Sequence, residues 1–116
     1  MTSATAANVI LVAAAGNFPA LGADYPARCE DAISIAALDS SGTFSSYSTR
    51  RQVDFGMIVR GIEAIDLNGG VSEPGGTSIA AAAAAHAIIG ELIAGRAPTE
   101  EHLSLLLEPV PSGTIN

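Results

Sequence analysis

Long apolar runs broken by glycine, proline and small polar residues set the pattern of this chain. Asn8 to Ala14 reads as a continuous run of β-branched and other apolar residues and stops at Gly16-Asn17. A run without polar alternation suits a strand buried on both faces, as in a parallel sheet. Ala32 to Leu38 is a second such run, and the Asp39-Ser40-Ser41-Gly42 that follows carries turn chemistry. Gln52 to Val59 and Ile62 to Leu67 are predicted as a third and a fourth strand. Between them, Phe18 to Arg28 holds Pro19, Gly22 and Pro26 and reads as loop, Phe44 to Ser48 as irregular chain, and Asn68 to Gly76 as a glycine-rich loop. Alanine, the strongest helix former, then dominates, and a helix is predicted from Thr77 to Ala94 with Gly95 as its stop. This helix is apolar nearly all round, which implies burial on most sides. Pro98-Thr99-Glu100-Glu101 opens a second helix, with Thr99 as cap, an apolar face of Leu103, Leu106 and Leu107, and an end at Pro109 and Pro111. Strands followed by packed helices point to an α/β layer fold.

Composition narrows the picture. The 116 residues suffice for one domain with one core, and 48% hydrophobic content argues against disorder. Aromatic residues are only 4% and tryptophan is absent, so the core must be built from Ala, Val, Ile and Leu. The net charge is −7 and every basic residue is an arginine: Arg28, Arg50, Arg51, Arg60 and Arg96. They form no basic stripe, which argues against a nucleic-acid partner. The acids are scattered as on a solvated surface. Residues 9–15 are too short to span a membrane and lack the basic flank of a signal peptide, and His86 and Glu91 interrupt the longer run from Ile79 to Ala94. The sequence leaves the cellular compartment open.

Few residues offer cofactor chemistry. Cys29 is the only cysteine, so no intrachain disulfide and no thiolate cluster are expected, and a packed thiol is the plainer reading. His86 and His102 are the only histidines and form no metal-binding pair of the H-E-x-x-H kind. Asp31, Asp39, Asp54 and Asp66 fit no calcium-loop spacing and read as turn acids. Gly69-Gly70 and Gly75-Gly76 are followed by no lysine, so no phosphate loop is indicated. No metal and no cofactor is expected.

The chemistry concentrates at Gly75-Gly76-Thr77-Ser78. The glycines permit a tight turn, Thr77 and Ser78 are natural helix-start residues, and Ser78 then sits among unpaired N–H groups at the positive end of the helix dipole. A nucleophile whose product is an oxyanion is well served there. The plain alternative is a glycine turn with a hydroxyl cap. His86 follows Ser78 by eight positions, about 12 Å along a helix rising ~1.5 Å per residue, beyond the ~3 Å of a hydrogen bond. His102 belongs to the other predicted helix.

Three segments in order resemble the subtilisin-like serine proteases, the subtilases. Val9-Ile10-Leu11-Val12-Ala13-Ala14-Ala15-Gly16-Asn17 is similar to the family strand that ends at an oxyanion-hole asparagine. Tyr25-Pro26-Ala27, Ala32 to Asp39 and Phe44 to Ser48 are similar to the family's "YPA … VIAVGAVD … FSS" stretch. Gly76-Thr77-Ser78-Ile79-Ala80 resembles the nucleophile motif "GTSMA". The resemblance covers roughly residues 8 to 108. It implies that Ser78 is the catalytic nucleophile, that Asn17 and the Ser78 amide bind the oxyanion, and that Ala15, Gly16, Gly76 and Thr77 lie along the substrate. The fold it implies is α/β. It would be a partial parallel sheet of three to four strands, with a central buried nucleophile helix and a C-terminal helix, a subtilisin-like half domain. One incomplete domain would span 1–116, with flexible ends at 1–7 and 109–116.

The departures matter as much. Nothing here resembles the family's aspartate strand or its "HGT" helix, and a serine without a base is a poor nucleophile. The family's "GTSMAxPHVAG" has proline and histidine where Ala82 and Ala83 stand, and its "APG" is missing from Val53 to Val59. Two readings follow. In the first, the chain is the carboxy-terminal part of a serine endopeptidase acting on peptide or protein substrates. It needs a partner piece for Asp and His, and is inactive alone. In the second, it is a non-catalytic relic or interaction module. Under either, a half sheet exposes apolar surface that another polypeptide or an oligomer is expected to cover.

Overall fold

The computed structural model describes residues 8–110. The ends expected to be flexible, 1–7 and 109–116, lie outside that range except for Pro109 and Val110. Three parallel strands form the sheet in the order β1-β2-β3: β1 (Leu11–Ala14), β2 (Ala32–Leu38) and β3 (Phe55–Ile58). Leu11 to Ala14 align with Ala32 to Ile35, and Ile35 to Leu38 with Phe55 to Ile58. The central strand β2 has the predicted bounds and is buried over nearly its whole length.

Its neighbours are shorter than their apolar runs. Asn8 takes a left-handed conformation (φ 62°) and Val9 is exposed, so β1 begins only at Leu11. Gln52 is likewise left-handed (φ 61°), and Asp54 is engaged with Ser34, whose N–H donates to its Oδ2 at 2.9 Å. β3 therefore starts at Phe55. The predicted fourth strand does not join this sheet. β4 (Ala64–Ile65) pairs antiparallel with β5 (Val71–Ser72), inside the stretch expected to be loop. Asp66 closes the turn between them, its Oδ1 accepting the N–H groups of Asn68 and Gly70 at 2.9 Å each. A short-range hairpin closes this segment, so the parallel sheet has three strands among the described residues.

Two cores lie on opposite faces of the sheet. On one, Ile35 and Ala37 of β2 meet Val59, the helix α1 (Thr77–Ile93) and Leu103 and Leu107 from the region of α2 (Glu100–Leu106). On the other, Ala13, Ala32 and Ala36 pack against Ala15, Ala23, Ala27 and Val53 from the loops, with Cys29 half-buried beside them. Strand alternation sends Ile35 and Ala37 one way and Ala36 the other. Among the described residues no helix lies over the alanine face. Small side chains let the Phe18–Arg28 loop lie close to the strands.

Helix α1 buries one stripe: Thr77, Ala80, Ala84 and Ile88. These positions recur at helical spacing, and the alanines let the helix approach the sheet closely. The expectation of burial on most sides is corrected here. Ile89 is 53%, Leu92 46% and Ile93 82% exposed, because only one layer of the described residues lies against the helix. The helix ends at the cap residue Ala94, just before Gly95 as predicted. In α2, Thr99 caps as expected, its hydroxyl accepting the His102 N–H at 3.3 Å. Beyond it, Glu108 pairs with Gly56 and covers part of the outer edge of β3. β1 is the other edge of the sheet. No helix among the described residues is long and apolar enough to cross a membrane.

Candidate functional site

The carboxyl end of β1 and the amino end of α1 meet at one point. The chain leaves β1 through Ala15, fully buried, whose N–H donates to Ile35 O at 2.9 Å and so continues the sheet by one bond. Gly16 then turns with φ +116°, a conformation that L side chains rarely adopt. Its carbonyl accepts the Thr49 N–H at 2.9 Å and its N–H donates to Thr77 Oγ1 at 3.0 Å. A Cβ at this position would lie 3.1 Å from the Thr49 hydroxyl. Gly16 is thus clamped between a loop and the start of the helix, which delivers the next residue, Asn17, to the helix end.

Asn17 caps α1 across 60 positions of sequence: its Oδ1 accepts the Thr77 N–H at 2.9 Å and the Thr77 hydroxyl at 3.1 Å. The local cap expected from Thr77 and Ser78 is replaced by this long-range one. Gly76 occupies the N-cap position and offers no side chain, so a first-turn N–H must find its acceptor elsewhere. Gly76 is itself held by Tyr47, whose hydroxyl accepts its N–H at 2.8 Å. Thr77 is 1% exposed and its hydroxyl bridges Gly16 and Asn17, so it acts through the two residues it holds.

The consequence is a choice of which end of the Asn17 amide faces outward. Oδ1 is occupied, so Nδ2 remains as a donor with no partner among the described residues. It lies against the helix start, 3.8 Å from where a Cβ on Gly76 would be. The Ser78 N–H and Ser78 Oγ also have no hydrogen-bond partner among the described residues, and both Asn17 and Ser78 are exposed. The positive end of the α1 dipole points at this spot, and no acid in the first turn offsets it. Two N–H donors and a hydroxyl thus share one exposed corner. Such a corner suits an anion or the oxygen of a polarised carbonyl.

Neither histidine belongs to the corner. His86 is exposed two turns further along α1. His102 Nδ1 sits 2.8 Å from the carbonyl oxygen of Ala97, just past the carboxyl end of α1. The 17 residues of that helix span about 25 Å, so His102 lies at the end remote from Ser78. No group of three or more His, Cys, Asp or Glu able to hold a metal occurs among the described residues. Three of the four aspartates weighed as calcium ligands are used locally. Asp39 accepts from Ser41 and Thr43, Asp54 from Ser34, and Asp66 closes the β4–β5 turn.

Of the predicted site residues, Gly16, Asn17, Gly76, Thr77 and Ser78 come together, and Ala15 lies just behind them in the core. Tyr47 and Thr49 were not singled out as site residues. Both come from the stretch after Phe44 and hold the two glycines from the side. A hydroxyl that serves a distant backbone amide leaves no spacing signal in the sequence.

The chain matches the profile of the subtilase family (Peptidase_S8) over residues 1–97. Among solved structures it is similar to the prenylagaramide maturation protease PagA, with a TM-score of 0.68 and 23% identity, covering 86% of this chain and 39% of that one. It is also similar to the self-cleaved protease domain of PatA, with a TM-score of 0.64 and 26% identity, covering 87% of this chain and 41% of that one. The chain therefore spans about two fifths of the length of these structures. No curated protein matches it.

Proposed function

The chain belongs to the subtilase family, and on that premise we propose that it is the carboxy-terminal, nucleophile-bearing part of a subtilisin-like serine endopeptidase. The observation that carries this reading is the orientation of Asn17. With Oδ1 held by Thr77, its Nδ2 and the Ser78 N–H are two unpartnered donors beside the Ser78 hydroxyl.

The chemistry runs as follows. Ser78 Oγ attacks the carbonyl carbon of a peptide bond, and the carbonyl oxygen, now anionic, accepts from Asn17 Nδ2 and the Ser78 N–H. The tetrahedral species collapses to an acyl-enzyme on Ser78 with departure of the amine, and water releases the acid. Each donor of such a pair contributes about 10²–10³ in rate. The Oγ proton needs a base and the amine needs an acid. Neither His86 nor His102 reaches Ser78, so both roles fall to elements outside these residues, in a longer polypeptide or a separate one. The same elements would cover the exposed stripe of α1. Both neighbouring structures are proteases by name, one a maturation protease and one a self-cleaved protease domain, which is consistent with peptide-bond chemistry at this corner.

A second reading has its own support. Ser78 Oγ is hydrogen-bonded to nothing among the described residues, as in a module that keeps the fold and binds without cleaving. A fluorophosphonate probe separates the two. Modification of Ser78 in the assembled protein, absent in Ser78→Ala, supports the peptidase. A Ser78 that stays unmodified when the Asp- and His-bearing elements are supplied sinks it.

A further inference from the structure

One short segment, Ser45 to Thr49, touches both halves of the exposed corner and is anchored in the sheet. β1 stops pairing at Ala15, whose N–H reaches Ile35 O. Two residues further along β2, Ala37 is fully buried and lies beyond the last β1 partner. Its N–H donates instead to Ser48 Oγ at 3.0 Å, and its carbonyl accepts the Ser45 N–H at 2.9 Å. Buried backbone groups need partners, so these bonds fix the segment to the central strand. Ser48 is itself fully buried, and its hydroxyl donates to Thr49 O at 3.0 Å.

Two arms leave this anchor. Thr49, 1% exposed, grips the chain on either side of Asn17. Its N–H donates to Gly16 O at 2.9 Å, and its hydroxyl accepts the Phe18 N–H and donates to the Phe18 carbonyl, at 3.2 Å each. The backbone N–H and carbonyl of Asn17 have no hydrogen-bond partner among the described residues, and Asn17 to Leu21 are exposed. The Asn17 backbone is thus held through its neighbours, by Thr49. The other arm is Tyr47, half-buried against the helix-side core. Its hydroxyl accepts the Gly76 N–H at 2.8 Å, and a Cβ on Gly75 would lie 3.3 Å from that hydroxyl. The Gly76 carbonyl in turn accepts the Ile79 N–H at 3.2 Å, so the plane of Gly76 sets the first turn that carries Ser78.

The geometry points to Thr49 and Tyr47 as positioning residues of the oxyanion corner. Two residues apart on one anchored segment, they act as a bracket that fixes where the Asn17 amide stands relative to the Ser78 N–H. This rests on the peptidase reading above. Neither residue touches the substrate, and each acts through the backbone it holds. A misplacement of ~1 Å in such an arrangement costs about a hundredfold in rate.

The test has a structural and a kinetic arm. Thr49→Val keeps the shape of the side chain and removes its hydroxyl, Thr49→Ser keeps the hydroxyl, and Tyr47→Phe removes the other one. In the 116-residue chain, nitrogen-15 relaxation of the Asn17 side-chain amide requires no catalysis. That amide should lose order in Thr49→Val and regain it in Thr49→Ser, with thermal melts showing each variant folded. An amide as ordered in Thr49→Val as in the parent overturns the inference. Tyr47→Phe should shift and broaden the Ser78 backbone amide signal. A Ser78 signal unmoved there also overturns it, so the test does not depend on Thr49→Val folding. In the assembled protein, fluorophosphonate modification of Ser78 should slow by about tenfold to a hundredfold in Thr49→Val and in Tyr47→Phe, and keep the parent rate in Thr49→Ser. Residues that act as a unit give non-additive losses, so the double variant should be no slower than the slower single one. Losses that multiply overturn the bracket. Parent rates in both single variants overturn it too and leave the nucleophile standing. Loss of order at Asn17 in Thr49→Val, with no modification of Ser78 even in the parent, supports the bracket and removes the nucleophile.

Discussion

Asn17 uses the two ends of one amide for two tasks, and substitution separates them. Asn17→Ala removes the acceptor that caps Thr77 and should cost about 1 kcal/mol of stability. It should also lower the rate of Ser78 phosphonylation in the assembled protein by about 10²–10³. Asn17→Asp keeps an acceptor at a helix N-terminus, where negative charge is favoured, but has no N–H to give. Its stability should stay within about 0.5 kcal/mol of the parent, with the same loss of rate. Thermal unfolding and probe kinetics on both variants check the pair. One position before, Gly16→Ala forces a left-handed alanine against the Thr49 hydroxyl, and a loss of about 1–3 kcal/mol is expected by urea unfolding. A milder effect belongs to Asp39, whose carboxyl is lowered from 3.8 to about 2 by hydrogen bonds from Ser41 first and Thr43 second. A lowered folded-state pKa means the stabilisation is complete above 3.8 and is lost as pH falls through about 2. Carbon-13 titration of Asp39 should show its midpoint near 2 and a return toward 3.8 in Ser41→Ala.

Helix α1 depends on one stripe. Ile88 is 3% exposed and packs in the core with Ala84 and Leu103. Ile88→Ala should lose about 2–4 kcal/mol in urea unfolding, through transfer and cavity terms together. Ile93 is 82% exposed, so Ile93→Ala should change stability by no more than about 0.5 kcal/mol. The contrast reads out which face carries the fold within these residues. Ala82 and Ala83, where the family pattern has proline and histidine, sit inside an unbroken helix from Thr77 to Ile93, as expected for residues of high helix propensity.

At the scale of the whole molecule, two features of the described residues bear on the expected association. Ile89, Leu92 and Ile93 form an exposed apolar stripe on α1, and β1 stands at the edge of the sheet. The family match together with coverage of 39% and 41% of the two similar structures agrees with a partial domain. Apolar stripes and bare strand edges drive association. Sedimentation of the 116-residue chain should show concentration-dependent association at micromolar levels. Ile89→Glu with Ile93→Glu should abolish it while leaving the unfolding midpoint nearly unchanged, since neither side chain is in the core. A monomer in the parent chain at those concentrations would contradict the expected interface.

Local information sufficed wherever neighbours in sequence make the contacts. The bounds of β2, the span of α1 to within one residue, its stop before Gly95 and the Thr99 cap of α2 were all legible from propensity, apolar runs and capping chemistry. So were the family and the α/β class, from motifs in order. Contacts between distant segments left no such trace. The hairpin of β4 and β5 took the place of a fourth parallel strand because pairing across a short turn depends on the partner as much as on the run itself. The cap of α1 by Asn17 and the clamping of Gly16 and Gly76 by Thr49 and Tyr47 join residues far apart in sequence. By itself the sequence determined that a strand ends just before Gly16-Asn17 and a helix begins near Ser78. Only the tertiary structure decided that Asn17 turns its oxygen inward and its N–H outward, because that orientation is set by the unpaired Thr77 amide waiting across the fold.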